Sequence, residues 1–217
     1  MTTRRCAHSR LVLHSRTDGT FHDFFPVTAS SGDHDPGMSK RVLCLLFPGF
    51  EEIETVAPVD LLRRAGVEVV VASLTGEKLV TGRCNITLQA DAAFADVAEQ
   101  EFDLFLIPGG PGIKAVRADG RAAQLAAKYS QAGKPVAAIC AAPTVLKDAG
   151  LLEGRRFTSH AGVLSELPDS QVQERVVDDG NLVTSRGAAT SVEFGLALVR
   201  RLCGDATVAE VSKGIMA

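Results

Sequence analysis

The sequence predicts an α/β protein in which one mostly parallel sheet is covered by helices on both faces. Two observations carry this. From Arg41 onward, apolar runs too continuous for half-exposed strands, such as V-L-C-L-L-F, L-F-L-I and P-V-A-A-I, alternate with amphipathic stretches. The chain has 217 residues, 46% of them hydrophobic, enough to bury one substantial core, and nothing in its composition calls for a second domain.

The elements follow in order. Residues 1–37 are rich in Ser, His, Asp and Gly and show no apolar period, so they are expected to form a disordered N-terminal extension. Arg4, Arg5, Arg10 and Arg16 hint at an organellar address, but Asp18, Asp23, Asp33 and Asp35 follow, and an upstream start with Met38 as the true beginning is the favoured reading. The domain proper is then 38–217. Main strands are expected at 41–47, 67–72, 104–107, 135–139 and 181–185. Ile53, Val56, Ala57 and Leu61 recur at helical spacing, Pro58 is a point of possible bending, and Gly66 supplies a stop. A second helix is expected to start with Asp119 as its cap, to bury Ala122, Leu125, Ala126 and Tyr129, and to stop at Gly133. Thr190 with Glu193 three residues on has the capping-box pattern ahead of a last long helix burying Leu196, Val199 and Leu202. Shorter strands are expected at 84–89, 156–159 and 172–177, the last in a hairpin closed by Asp179-Gly180.

Composition removes several function classes. The net charge of -3 comes from interspersed signs, leaving no footprint for nucleic acid or an anionic membrane. Five cysteines at positions 6, 44, 84, 140 and 203 show neither disulfide pairing nor metal spacing, so no metal is expected and a reducing cytoplasm fits. No apolar stretch has the length of a membrane span.

In an open α/β sheet, ligands sit beyond the carboxyl ends of the strands. There the chain carries P-G-F-E-E-I-E, P-G-G-P-G, C-A-A-P-T, His160 and R-G-A-A-T. Cys140 stands between an apolar strand and a helix start with Pro143 in its first turn, the arrangement of a nucleophile elbow. A thiol there is expected to feel the positive end of the helix and to ionise readily. Cys44, mid-strand, and Cys203, on an apolar helix face, read as small buried hydrophobes. Glu51 and Glu52 read as favourable partners of the helix dipole, whereas Glu54 is expected to turn toward Cys140 and share a proton with it. The glycine turn at 108–112 suits backbone N–H groups aimed at an oxyanion. His160 gains significance only from its nearness to Cys140.

Together P-G-F-E-E-I-E-T-V-A-P-V-D-L-L-R-R-A-G, L-I-P-G-G, A-A-I-C-A-A-P-T and T-S-R-G-A-A-T-S-V-E-F, in this order over residues 40–213, resemble the ThiJ/PfpI superfamily. Within it the likeness is to the DJ-one-like branch, that of the parkinsonism-associated deglycase and its bacterial relatives. The resemblance implies a flavodoxin-like sandwich, a homodimer built through the first helix, and no cofactor. It implies that Cys140 is the reactive cysteine, Glu54 its hydrogen-bonded acid and His160 the neighbouring histidine, with Gly109, Gly110 and Ala141 as backbone donors near the sulfur. Ala142 and Ala189 stand where relatives often have Gly, and Ala188 where they often have Pro. The implied activity is a glutathione-independent glyoxalase or deglycase acting on 2-oxoaldehydes such as methylglyoxal, or on their early protein or nucleotide adducts. The rival readings are an oxidative-stress sensor or chaperone using the same cysteine and, behind it, a cysteine hydrolase or peptidase.

Overall fold

The computed structural model describes residues 39–217, so the expected extension at 1–37 lies outside the described residues. Its centre is β1 (Arg41–Leu46), buried along its length because both faces are covered. The chain leaves β1 through α1 (Glu52–Arg64) and returns to β2 (Glu68–Ser73), parallel to β1 in the register Val42↔Val69. A two-stranded antiparallel hairpin follows, β3 (Leu79–Thr81) with β4 (Thr87–Gln89). Then come β5 (Ala92–Ala93), the short α2 (Phe94–Val97) and β6 (Leu104–Ile107), which pairs with β1 on its other side. The second half runs through α3 (Ile113–Asp119), α4 (Arg121–Gln131), β7 (Val136–Ile139), α5 (Pro143–Asp148), β8 (Val176–Asp179), β9 (Leu182–Ser185) and α6 (Ser191–Gly214).

The seven strands of the main sheet lie in the order β5-β2-β1-β6-β7-β9-β8. All pairs are parallel except β8 with β9. The order reverses beside β1, between β2 and β6, which is where the carboxyl ends of neighbouring strands diverge and leave room for a ligand. α1 packs on α6, and α3, α4 and α5 pack on one another. The chain passes outward from β1 to β2 through α1 and the opposite way from β6 to β7 through α3 and α4, so the right-handed crossover rule for parallel strands puts these two groups on opposite faces of the sheet. α1 and α6 approach closely at Gly195, where a β-carbon would lie 2.6 Å from Leu61 Cδ1 and 3.1 Å from Pro58 Cα. Pro58 is carried inside α1 without ending it.

Several expectations shift for identifiable reasons. Asp119 ends α3 rather than capping α4, and Gly120, at φ 80°, takes the cap position. Asp119 still serves the new helix, since its Oδ1 accepts from Arg121 N at 3.2 Å. The Thr190–Glu193 capping box is not formed: Thr190 Oγ1 is engaged by Gly187 and Ser185, and Glu193 pairs with Arg175. Residues 156–159 are extended but not a strand. Both edges of β9 are already taken by β7 and β8, so Thr158 N finds the Thr184 hydroxyl instead, at 2.9 Å. The hairpin expected around 172–177 exists a few residues later, as β8–β9. Its turn is held by Arg155 on Asp179 and Asn181 and by Arg201 on Asp178 and the Gly180 carbonyl. Among the described residues no helix is long and apolar enough to cross a membrane.

Candidate active site

The site is assembled where β1, β6 and β7 end. Cys140 follows β7 at φ 66°, a left-handed conformation that costs a non-glycine residue roughly 1–2 kcal/mol. Two backbone bonds hold it there. Cys140 N donates to Ser185 O at 2.9 Å, extending the β7–β9 ladder by one residue, and Cys140 O accepts from His160 N at 2.8 Å. The thiol is therefore turned off the strand axis at a sharp elbow and remains only partly covered.

Glu54 arrives from the first turn of α1, which Glu51 caps by accepting from Glu54 N at 2.8 Å. Its side chain is fully buried, its Oε2 accepts from Gly109 N at 3.0 Å, and its carboxyl group lies beside Cys140. Burial is the main reason its pKa is raised to about 7, with the nearby Glu51 adding to the rise and the Cys140 thiol, the Gly109 amide and Arg83 opposing it. Glu54 Oε1 is buried without a hydrogen-bond partner among the described residues, which favours a carboxyl group that keeps its proton.

The thiol does not follow the expectation of easy ionisation. Burial pushes Cys140 up, the negative charge of the adjacent Glu54 pushes it further, and the Ala141 amide works against them. α5 is only six residues long, so its dipole offsets little. The two groups titrate as a pair: once Glu54 holds its proton, the repulsion that raises the thiol disappears and a donor faces the sulfur.

Gly109 explains why the pair meets at all. A β-carbon there would lie 2.6 Å from Glu54 Oε2 and 2.7 Å from Cys140 Cβ, in the space where the two side chains converge. Its amide is already given to Glu54, so it is not the free backbone donor the sequence led us to expect. Gly110, at φ 116°, is also pressed against the loop before α1, where a β-carbon would lie 2.5 Å from Gly49 O. Gly109→Ala is expected to force Glu54 and Cys140 apart and to reduce turnover about a hundredfold, with a fall in thermal midpoint, checked by steady-state kinetics and a melting curve.

His160 is exposed, and its Nδ1 accepts from Gly162 N at 3.0 Å, which leaves Nε2 as the outward nitrogen. A β-carbon at Gly187 would sit 3.6 Å from His160 Cδ2 and 3.9 Å from Glu54 Oε1, so Gly187 lies between the imidazole and the carboxyl group. Its place in R-G-A-A-T is visible in the sequence, but its closeness to Glu54 is not, because the two are far apart in the chain. Glu52 also exceeds its expected part. It is buried, and its Oε1 accepts from Cys84 N at 2.7 Å and Ile86 N at 3.4 Å, tying the tip of the β3–β4 hairpin to α1. No cluster of metal-ligating side chains occurs among the described residues.

Known proteins share this architecture. The DJ-1/PfpI family profile matches residues 40–201. The chain is 40% identical to protein dj-1beta of Drosophila melanogaster over 183 residues, 82% of this chain and 98% of that one. It is 40% identical to a deglycase of Pyrococcus abyssi over 149 residues, 67% of this chain and 89% of that one. The crystal structure of Drosophila melanogaster DJ-1beta superposes with a TM-score of 0.79 at 38% identity, covering 83% of this chain and 99% of that one. An elbow cysteine, a buried acid against it and a glycine turn on a seven-stranded sheet thus come with a sequence alike over nearly the whole described length, and the chain belongs to the DJ-1/PfpI family.

Proposed function

We propose that the chain is a glutathione-independent glyoxalase or deglycase that works on 2-oxoaldehydes or their early adducts with amines. The observation that carries the reading is the Cys140–Glu54 pair, a partly open thiol beside a fully buried carboxyl group poised near neutrality. Relatives named deglycases, from Pyrococcus abyssi and Pyrococcus furiosus, support the same class of activity.

In the reactive form the sulfur is ionised and Glu54 carries the proton. The sulfur attacks the aldehyde carbon, a C–S bond forms, and the carbonyl electrons move to oxygen, which takes the proton from Glu54 to give a hemithioacetal. The Gly110 and Ala141 amides, beside the Gly109 turn, face the developing charge. Glu54, now a carboxylate, removes the hydrogen from the former aldehyde carbon as a proton. The C–H electrons pass into an enediolate, Glu54 returns that proton to the adjacent carbon, and His160 carries the hydroxyl proton of the first carbon to the oxygen of the second, so the first carbon becomes the carbonyl of a 2-hydroxy thioester. Water then cleaves the C–S bond, releasing a 2-hydroxy acid and restoring the thiol. The net change is addition of one water, so neither glutathione nor a redox cofactor enters the balance.

The test is formation of lactate from methylglyoxal by the purified chain with glutathione absent. A chain that consumes no methylglyoxal, and instead accumulates sulfinate at Cys140 selectively on peroxide titration, would replace this reading with that of a sensor. We further propose a cytoplasmic homodimer joined through α1. Ile53 and Val56, 55% and 47% exposed on that helix, support a second copy of the chain as the cover.

A further inference from the structure

Three stretches of chain carry the side chains and amides assigned above. The Gly109-Gly110 turn leads into α3, Cys140 leads into α5, and His160 leads into a short 3-10 turn, Ala161–Val163. The sheet aligns the first two, since β6 and β7 are paired through Ile107↔Ala138. His160 has no such support on its far side, where the chain runs through turns as far as Ser170.

Arg117, in the last turn of α3, reaches across this gap. Its Nε and Nη2 donate to Asp148 Oδ2 and Oδ1 at 2.7 and 2.9 Å, a two-pronged contact with the last residue of α5. Its Nη1 donates to Glu166 Oε2 at 2.7 Å. Lys147 Nζ adds a bond to the Glu166 carbonyl at 2.7 Å. From Glu166 the path back to His160 is two backbone bonds, Glu166 N to Val163 O at 3.0 Å and Val163 N to His160 O at 3.1 Å. A single exposed ion pair fixes little, but a guanidinium with 27% of its side chain exposed and both prongs filled in a three-residue network holds its partners in one geometry. A lysine cannot fill both prongs.

We propose that Arg117 is a positioning residue, which clamps the ends of α3 and α5 to the loop behind His160 and thereby sets the place of the imidazole beside Gly187 and Glu54. The inference rests on the roles proposed above for Cys140, Glu54 and His160. It concerns a contact outside the pocket, made by a residue that touches no reacting atom.

Arg117→Gln and Glu166→Ala test it together, since the second removes the loop's side-chain acceptor and leaves the Arg117–Asp148 pair in place. In both, amide deuterium exchange over residues 161–167 is expected to quicken about tenfold or more, while residues 109–113 keep the wild-type rate. With methylglyoxal as substrate, kcat is expected to fall about tenfold to a hundredfold with little change in KM. Alkylation of Cys140 by iodoacetamide is expected to stay within about twofold of wild type, because the contacts of Glu54 and Gly109 do not involve Arg117. Arg117→Lys is expected to fall between wild type and Arg117→Gln. Wild-type exchange over 161–167 in Glu166→Ala, or an unchanged kcat in both variants, overturns the proposal. If the wild-type chain leaves methylglyoxal untouched, the reading of the site fails separately, and the exchange measurement alone decides whether the clamp exists.

Discussion

Cys140→Ser is expected to lower lactate formation from methylglyoxal by at least about a thousandfold while the fold stays intact. The reason is the gap between a thiol and a hydroxyl: even with burial raising it, the sulfur gives up its proton far more readily than an alcohol oxygen and is the stronger nucleophile. The elbow does not depend on the sulfur. Its two anchoring bonds, to Ser185 O and from His160 N, are both made by backbone atoms. Serine is small enough to occupy the same position, so circular dichroism and the thermal midpoint should match wild type closely. A serine variant with undiminished turnover would mean that the chemistry occurs elsewhere.

Glu54→Gln is expected to lower kcat about a hundredfold to ten-thousandfold, the ordinary worth of a positioned proton carrier. The amide keeps the shape and still accepts from Gly109, but it neither yields a proton to the hemithioacetal oxygen nor removes one from carbon. Alkylation of Cys140 should persist, because the variant also removes the negative charge that raises the thiol. Turnover and thiol reactivity would thus separate. The same substitution has a signature in stability. Burial raises Glu54 from 4.5 to about 7, so the native state holds this proton more tightly than the unfolded chain does. The wild type is therefore penalised as pH rises through that interval, fully above about 7, and not at all below 4.5. Relative to wild type, Glu54→Gln should gain stability across the interval, on the order of 3 kcal/mol by its upper end. Urea unfolding at acid and mildly alkaline pH measures this, and parallel curves for the two proteins would contradict a raised Glu54.

What is legible in the sequence is what local pattern controls. β1, β6 and β7 are buried on both faces, and such strands announce themselves as unbroken apolar runs. The residues that follow such runs share one rim by topology alone, which is why Cys140, Glu54 and the glycine turn stand out together, whereas His160 follows a segment that joins no sheet. The two residues of β5 and the four of α2 are too short to show a period. The part played by Glu52 is hidden because its partners, Cys84 and Ile86, lie on a hairpin beyond β2, and a carboxylate at a helix start has an adequate local explanation already. The raised thiol is hidden for a similar reason: helix polarity is written in the sequence around Cys140, whereas burial and the charge of Glu54 come from other elements.

The borders of the main sheet have a consequence for handling the protein at high concentration. On one side it ends in β5, which offers two residues, and on the other in β8, the antiparallel arm of a hairpin whose turn is fastened by Arg155 and Arg201. An intruding strand finds too short a row of residues on the first border and a charged one, carrying Asp178 and Asp179, on the second. Fibrillar self-association of the folded chain through sheet extension is thereby disfavoured, and Arg201→Ala, which loosens the second border, is the change that should first bring it out.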